Sequence, residues 1–266
     1  LIKGFPTGER DENGNEIFDN WIDYFKIGFR KMLSQAGERT LTSALLPAKA
    51  SHIHGVISII FRDIHHLIEA QGLCSSIVLD FFMKTIGTAN LSDSRINAFP
   101  LGINTRYMNQ LFSRTLRLNC LNKYYSPLWE NNFDDRFRAD CWSKEDKRLK
   151  SFGTLTNSWN VSIPLRNWYE RRLALVEIDV ISAMALGLTL EELILIYNIQ
   201  FPVLLQNEDD TWYDQEGNIV FTCSKGLVGV GVDRAVWENI RNLKQGESYT
   251  HTITKSELYY GKQITY

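Results

Sequence analysis

Cysteine is scarce in this chain, and Cys74, Cys120, Cys141 and Cys223 stand far apart with no CxxC pair. Neither a disulfide framework nor a cysteine zinc site is signalled, so reduced thiols in a cytoplasmic setting are the simpler expectation. Proline numbers 6 against 17 glycines, and neither gathers into a low-complexity linker. No run of about 18 uncharged apolar residues occurs, so no membrane span is expected. The nearest candidate, residues 173–190, carries Glu177 and Asp179. A secretory leader is missing as well. With Leu1 rather than Met at its start, the chain reads as a piece of a longer polypeptide. The signatures GxGxxG, GxxxxGK[ST], GxSxG and HExxH are all absent. The glycines of residues 226–231 follow a hairpin strand instead of opening a βαβ unit, so they read as a turn rather than a phosphate cradle.

What is present is ordinary globular material. At 44% hydrophobic and 23% charged, the 266 residues supply a substantial core for one large domain or two modest ones. The net charge of −2 hides an uneven distribution. Residues 101–175 hold 13 basic and 7 acidic side chains, whereas the remainder holds 16 and 24. A polyanion-binding face and a merely solvated, charge-segregated surface both fit that asymmetry. The charge shift suggests a boundary near residue 150, dividing the chain into 1–150 and 151–266.

Patterning along the chain predicts an α+β fold: β-rich, then helical, then β-rich again. Residues 6–20 form an exposed loop or a hairpin tipped at Asn13-Gly14. Phe25, Ile27 and Phe29 alternate with polar residues as in a half-buried strand. Residues 40–46 are also β-rich, and the continuous apolar run within 55–61 suits a central strand. Helices are expected over 66–83, ending near Gly87, over 107–121, and over 168–186 with Gly187 closing the last. Thr189 and Glu192 form a capping box for a further helix. Strand is expected to resume at 201–205, followed by a hairpin over 211–222, a short helix capped by Asp233 and an edge strand over 248–254. Residues 129–150 carry no clear pattern, and no solenoid repeat is found.

Catalytic chemistry is not evident. His52, His54, His65 and His66 cluster with Asp63, but HxH without a defined third ligand does not point to a metal site. Base stacking or loop bridging accounts for them equally. Glu191-Glu192 and Asp209-Asp210 fall at helix starts and turns, where dipole compensation and solvation explain them. Asp134-Asp135 has no general acid to pair with. The positive signal is basic residues interleaved with aromatics: Arg136, Arg138, Trp142, Lys144, Lys147, Arg148 and Lys150. Lys26, Arg30, Lys31, Arg39, Lys49 and Arg62 decorate the first β-rich region. Phosphate contacts need cations along a groove, and base readout needs Arg, Lys, Asn or Gln on elements that reach base edges.

Several segments also resemble a known family. Residues 37–49, GERTLTSALLPAK, resemble the ERTL…A-L-[IL]-P strand and turn that opens the target recognition region of gamma-class bacterial DNA adenine methyltransferases. These are the enzymes of fused type II restriction–modification and related phage-defence systems. Residues 76–82 (SIVLDFF) resemble a helix of that family, and residues 90–101 resemble the strand leading to its L-P-[LIV]. Residues 173–193 resemble its EIDALVA…LGLT-x-EEL helix pair, with Phe201-Pro202-Val203 following. The family's F-x-G-x-G and N-P-P-[YF] motifs are absent, so the resemblance implies a non-catalytic recognition portion. Residues 1–150 would then be the DNA-reading region and 151–266 a C-terminal helical and hairpin region. The parent would use S-adenosylmethionine through an upstream methyltransferase domain, and no cofactor would bind this portion. The implied partner is double-stranded DNA, with other defence-system subunits as further partners. Lys49, His52, His54, Lys84, Asn90 and Arg95 are the expected base readers. Arg136, Arg138, Lys144, Lys147, Arg148 and Lys150 are the expected phosphate anchors. The alternative is a protein-interaction domain that docks partner subunits of such a complex.

Overall fold

Asp11 turns the polar N-terminal stretch into a hairpin. Its carboxylate accepts from the backbone N–H groups of Asn13 and Asn15, closing the turn between β1 (Lys3–Arg10) and β2 (Glu16–Asn20). The computed structural model describes residues 3–103, 105–254 and 256–266. A single 3-10 turn, capped by Asn20, leads into β3 (Lys26–Arg30).

β3 is the centre of a three-stranded antiparallel sheet, flanked by β4 (Ser43–Leu46) and β5 (Val56–Ile59). The apolar run expected as a central strand is therefore an edge. The centre goes to β3 because both of its faces are covered. Ile27 and Phe29 enter the core, while Leu46 and Val56 close over Gly28, where a Cβ would lie 2.8 Å from Leu46 Cδ1. Lys26 is fully buried, donating to Ala50 O at 3.1 Å with its ammonium over the Trp21 ring, and this burial depresses its pKa.

The helical pattern expected over 66–83 divides into α1 (Ile64–Cys74) and α2 (Ile77–Ile86). Ser76 is extended and caps α2 through Leu79 N–H, and the Asp179 carboxylate accepts from Ile77 N–H at 2.8 Å. A partner 102 residues away is invisible to local periodicity. Gly87, at φ 67°, ends α2 as expected. The strand implied over 90–101 is reduced to a single bridge between Met32 and Asn90, after which the chain coils into α3 (Asp93–Ile96).

α4 (Met108–Asn119) and α6 (Trp168–Ala185) match their expected positions; α5 (Ser126–Asn132) lies in the stretch without a clear pattern. Capping boxes start α6 (Asn167, Glu170) and α7 (Leu190–Gln200; Thr189, Glu192). Residues 202–209 form α8 (Pro202–Asp209) rather than the expected strand. Proline at the first helical position is preset for a helix, and Leu204 is buried in the same cluster as Phe201. Asp209 accordingly sits at a helix end, not a start. The hairpin of β6 (Trp212–Tyr213) and β7 (Ile219–Phe221) is organised by Asp214 much as the first is by Asp11. Asp233 caps α9 (Arg234–Ile240), and β8 (Thr250–Thr252) pairs with β9 (Gln263–Thr265). The fold is α+β, and among the described residues no helix is long and apolar enough to cross a membrane.

One large core joins Ile27 and Phe29 to Leu67, Leu111, Leu116, Trp129, Phe152 and Ile178, taking residues from both sides of position 150. Two buried arginines of α4 stand within it. Arg114 reaches Asp140 (2.6 Å), Glu177 (2.5 Å) and Cys141 O (2.9 Å). Arg117 donates to Ile163 O at 3.3 Å, lies against the faces of Trp142 and Phe152 and feels the buried Glu170 carboxylate without a hydrogen bond to it; its Nη1 has no partner, and burial lowers its pKa to about 10. Truncating one member of a buried pair leaves the other charge uncompensated, whereas an apolar group can replace a poorly satisfied one. Arg114→Met should therefore lower stability by about 3–5 kcal/mol and Arg117→Met by no more than about 1 kcal/mol, read from urea denaturation midpoints at constant slope.

Candidate nucleic-acid interface

The chain does not stop hydrogen bonding when β3 ends. Residues 31–33 continue as a short extension held on both flanks. On one side Lys31 N–H donates to Gly55 O at 3.0 Å; on the other, Leu33 N–H reaches Ala89 O and Leu91 N–H reaches Lys31 O, both at 2.9 Å. Two loops widely separated in sequence are thereby placed along one rim. Buried Leu91 anchors the second loop and leaves Asn90 exposed beside it.

The first loop, residues 47–55, is tied down along its length. Lys49 N–H donates to Ile22 O at 2.7 Å, and Ala50 O accepts from Lys26. His52 turns inward, hydrogen bonding to Ser58 Oγ at 2.8 Å and lying edge-on to Trp21. Val56 N–H closes the tip onto Ile53 O. Apart from glycines, Lys49 is the one described residue at positive φ, 67°, a conformation that side chains adopt only when the surroundings impose it. At its tip the loop exposes Ile53 and His54, and His54 Nε2 lies 3.1 Å from Lys31 Nζ.

Of the expected readers, His54 and Asn90 thus flank the same extension, His54 against Lys31 and Asn90 paired to Met32, and Arg95 is exposed on α3 in the loop beyond Asn90. Lys49 is exposed and ion-paired with Asp23. Lys84 is turned into the molecule: it donates to Gln200 O at 2.8 Å, lies over the Phe201 ring, and burial lowers its pKa. The exposed rim side chains that patterning overlooked are apolar. Ile53 is 84% exposed and Met32 72%. An isoleucine between two histidines in a polar loop was the available sign.

The expected anchors are mostly engaged by the chain's own groups. Arg136 pairs with Asp134 (2.5 Å), and Arg138 with Asp135 and Leu155 O. Arg148 pairs with Asp146 (2.6 Å) and stacks on Tyr169; its hydrogen bonds hold the Asp146 carboxyl well below the usual range. Lys150 donates to Pro164 O and approaches Glu170 at 3.8 Å. Lys147 donates to Gln215 and Lys144 lies over Tyr169, both exposed. A second basic concavity adjoins β3 on its other neighbour. This cleft of about 690 Å³, between the 34–42 loop and α8, has Arg30, Arg39 and Lys225 on its walls and Glu38 as the one carboxylate among its described lining residues.

No protein-family model, curated protein or solved structure matches this chain. The described histidines, cysteines and carboxylates form no group of three placed for a metal ion. Every described strand pairing is antiparallel, so the crevice at the end of a parallel sheet that accepts nucleoside cofactors in doubly wound folds is not built here. No step of methyl transfer is derived from these residues.

Lys84 and Arg95 should accordingly part company on substitution. Lys84→Met removes a partly buried hydrogen bond and should lower stability by about 1 kcal/mol. Arg95→Ala should leave the unfolding midpoint unchanged and weaken binding to duplex DNA. Parallel urea titrations and DNA-binding isotherms read both effects.

Proposed function

We propose that this chain binds double-stranded DNA and reads its sequence, as the recognition region of an adenine-specific DNA methyltransferase of a restriction–modification or phage-defence system. The observation that carries the reading is the rim: a strand extension, held on both flanks, with His54 against Lys31 on one flank and Asn90 paired to Met32 on the other. An asparagine amide can both accept from adenine N6 and donate to N7, while lysine and protonated histidine suit guanine acceptors or phosphates. The ordered sequence resemblance over most of residues 24–203 supports the same assignment. In this division of labour the upstream domain in the parent polypeptide holds S-adenosylmethionine and extrudes the target base. The present chain supplies grip and sequence choice.

Exposed cations give the grip. If Lys31, Lys144, Lys147 and Lys225 each hold one phosphate, log K should fall against log salt with a slope of about −3.5. Fluorescence anisotropy of this chain with random-sequence duplex at several salt concentrations measures that slope; affinity indifferent to salt would overturn the reading. Asn90→Ala should cost about 1–3 kcal/mol at one base pair only, whereas Lys225→Ala should weaken all sequences alike.

One observation favours a second reading, a docking domain for partner subunits of a defence complex. Val176, Val180 and Met184 form a stripe along α6, and Leu190, Ile194, Leu195 and Ile199 stand exposed on α7. Binding through that surface would persist in high salt, which separates the two.

A further inference from the structure

Ile53 stands at odds with its surroundings. It projects from a loop whose backbone is fixed by Ile22, Lys26 and the extension at Lys31 and whose His52 side chain is held by Ser58, so it cannot fold back to bury itself. Met32, nearly as exposed, lies on that extension between the His54 flank and Asn90. We infer that Ile53, with Met32 exposed on the adjoining extension, is a wedge that inserts between stacked base pairs of a bound duplex and bends it. This deepens the DNA-binding reading and rests on it.

Size and charge select that occupant. Two side chains are far too small a patch for a stable protein partner, which needs roughly 800 Å² on each side. A wedge needs only one apolar side chain, and isoleucine and methionine are among those that enter base steps and open them. The neighbours of the pair are a lysine, a histidine and an asparagine, the groups that hold phosphates and base edges on either side of an opened step. A rigid mount is also what insertion requires, because a mobile loop would yield before the stack did. Opening a step here would loosen the stacking of adjacent bases and so ease extrusion of a nearby target base.

The test is energy transfer between dyes at the two ends of a random-sequence duplex, titrated with this chain, with anisotropy read in parallel. The wild-type chain should shorten the end-to-end distance, consistent with a bend of roughly 20–90°. Ile53→Ala should leave the duplex straight, weaken binding about tenfold and keep the slope against salt, since no phosphate contact is lost. Ile53→Phe should restore the bend. Because Ile53 is exposed, both variants should keep the wild-type circular dichroism spectrum. A bound duplex that stays straight with the wild-type chain, or bends equally with Ile53→Ala, overturns the wedge while leaving DNA binding intact. Absence of any salt-sensitive binding overturns the DNA-binding reading and the wedge with it.

Discussion

Two buried carboxylates, Asp80 on α2 and Asp179 on α6, fix the geometry on which the rest depends. Asp80 accepts from the N–H groups of Thr40 and Leu41, just before β4, and Asp179 accepts from Ile77 N–H at the start of α2. Arg39 lies 4.0 Å from the first and 3.8 Å from the second. Burial raises both carboxyl pKa values, so ionisation is the costly state and is held against that cost by Arg39 and the backbone donors. The consequence is mechanical. Holding residues 40 and 41 sets where β4 begins, the register of β4 holds β3, and β3 continues into the extension that carries the rim.

The regional charge excess has a different meaning once partners are visible. The three arginines of residues 134–150 face carboxylates close by in sequence: Arg136 faces Asp134, Arg138 faces Asp135 and Arg148 faces Asp146. Exposed ion pairs contribute little and are screened by salt, so a phosphate can exchange for such a carboxylate at small cost. Arg114 is not available in that way, because its two carboxylates are buried with it. Counting charges along the chain treats these arginines alike, and only burial separates them.

The same distinction between local and distant causes decides what was legible in the sequence. The capping box at Thr189 and Glu192, the left-handed glycines after α2 and α6, and the hairpin over 211–222 are written in residues a few positions apart, and the structure has them. The break at Ser76 depends on Asp179, the centrality of β3 on Leu46 and Val56, and the helical state of residues 202–209 on burial of Leu204 beside Phe201. None of these has a local signature, because tertiary packing overrides short-range propensity. At the rim, His54 and Asn90 were legible as candidate base readers. Their meeting across Lys31 and Met32 was not, since it is made by backbone hydrogen bonds that carry no residue identity.

That backbone origin bears on how the rim works. Ordering a flexible side chain at an interface costs about 0.5–1.5 kcal/mol, and a loop that must also be ordered adds to this. Here the backbone beneath His54 and Asn90 is already held by the extension, so contacts made there lose little to ordering. Lys144, Lys147 and Lys225 extend from irregular segments and a single 3-10 turn, and as long solvated side chains they gain mainly by neutralising phosphate. The proposed function therefore assigns sequence choice and grip to different parts of the molecule, one set by backbone rigidity and the other by charge.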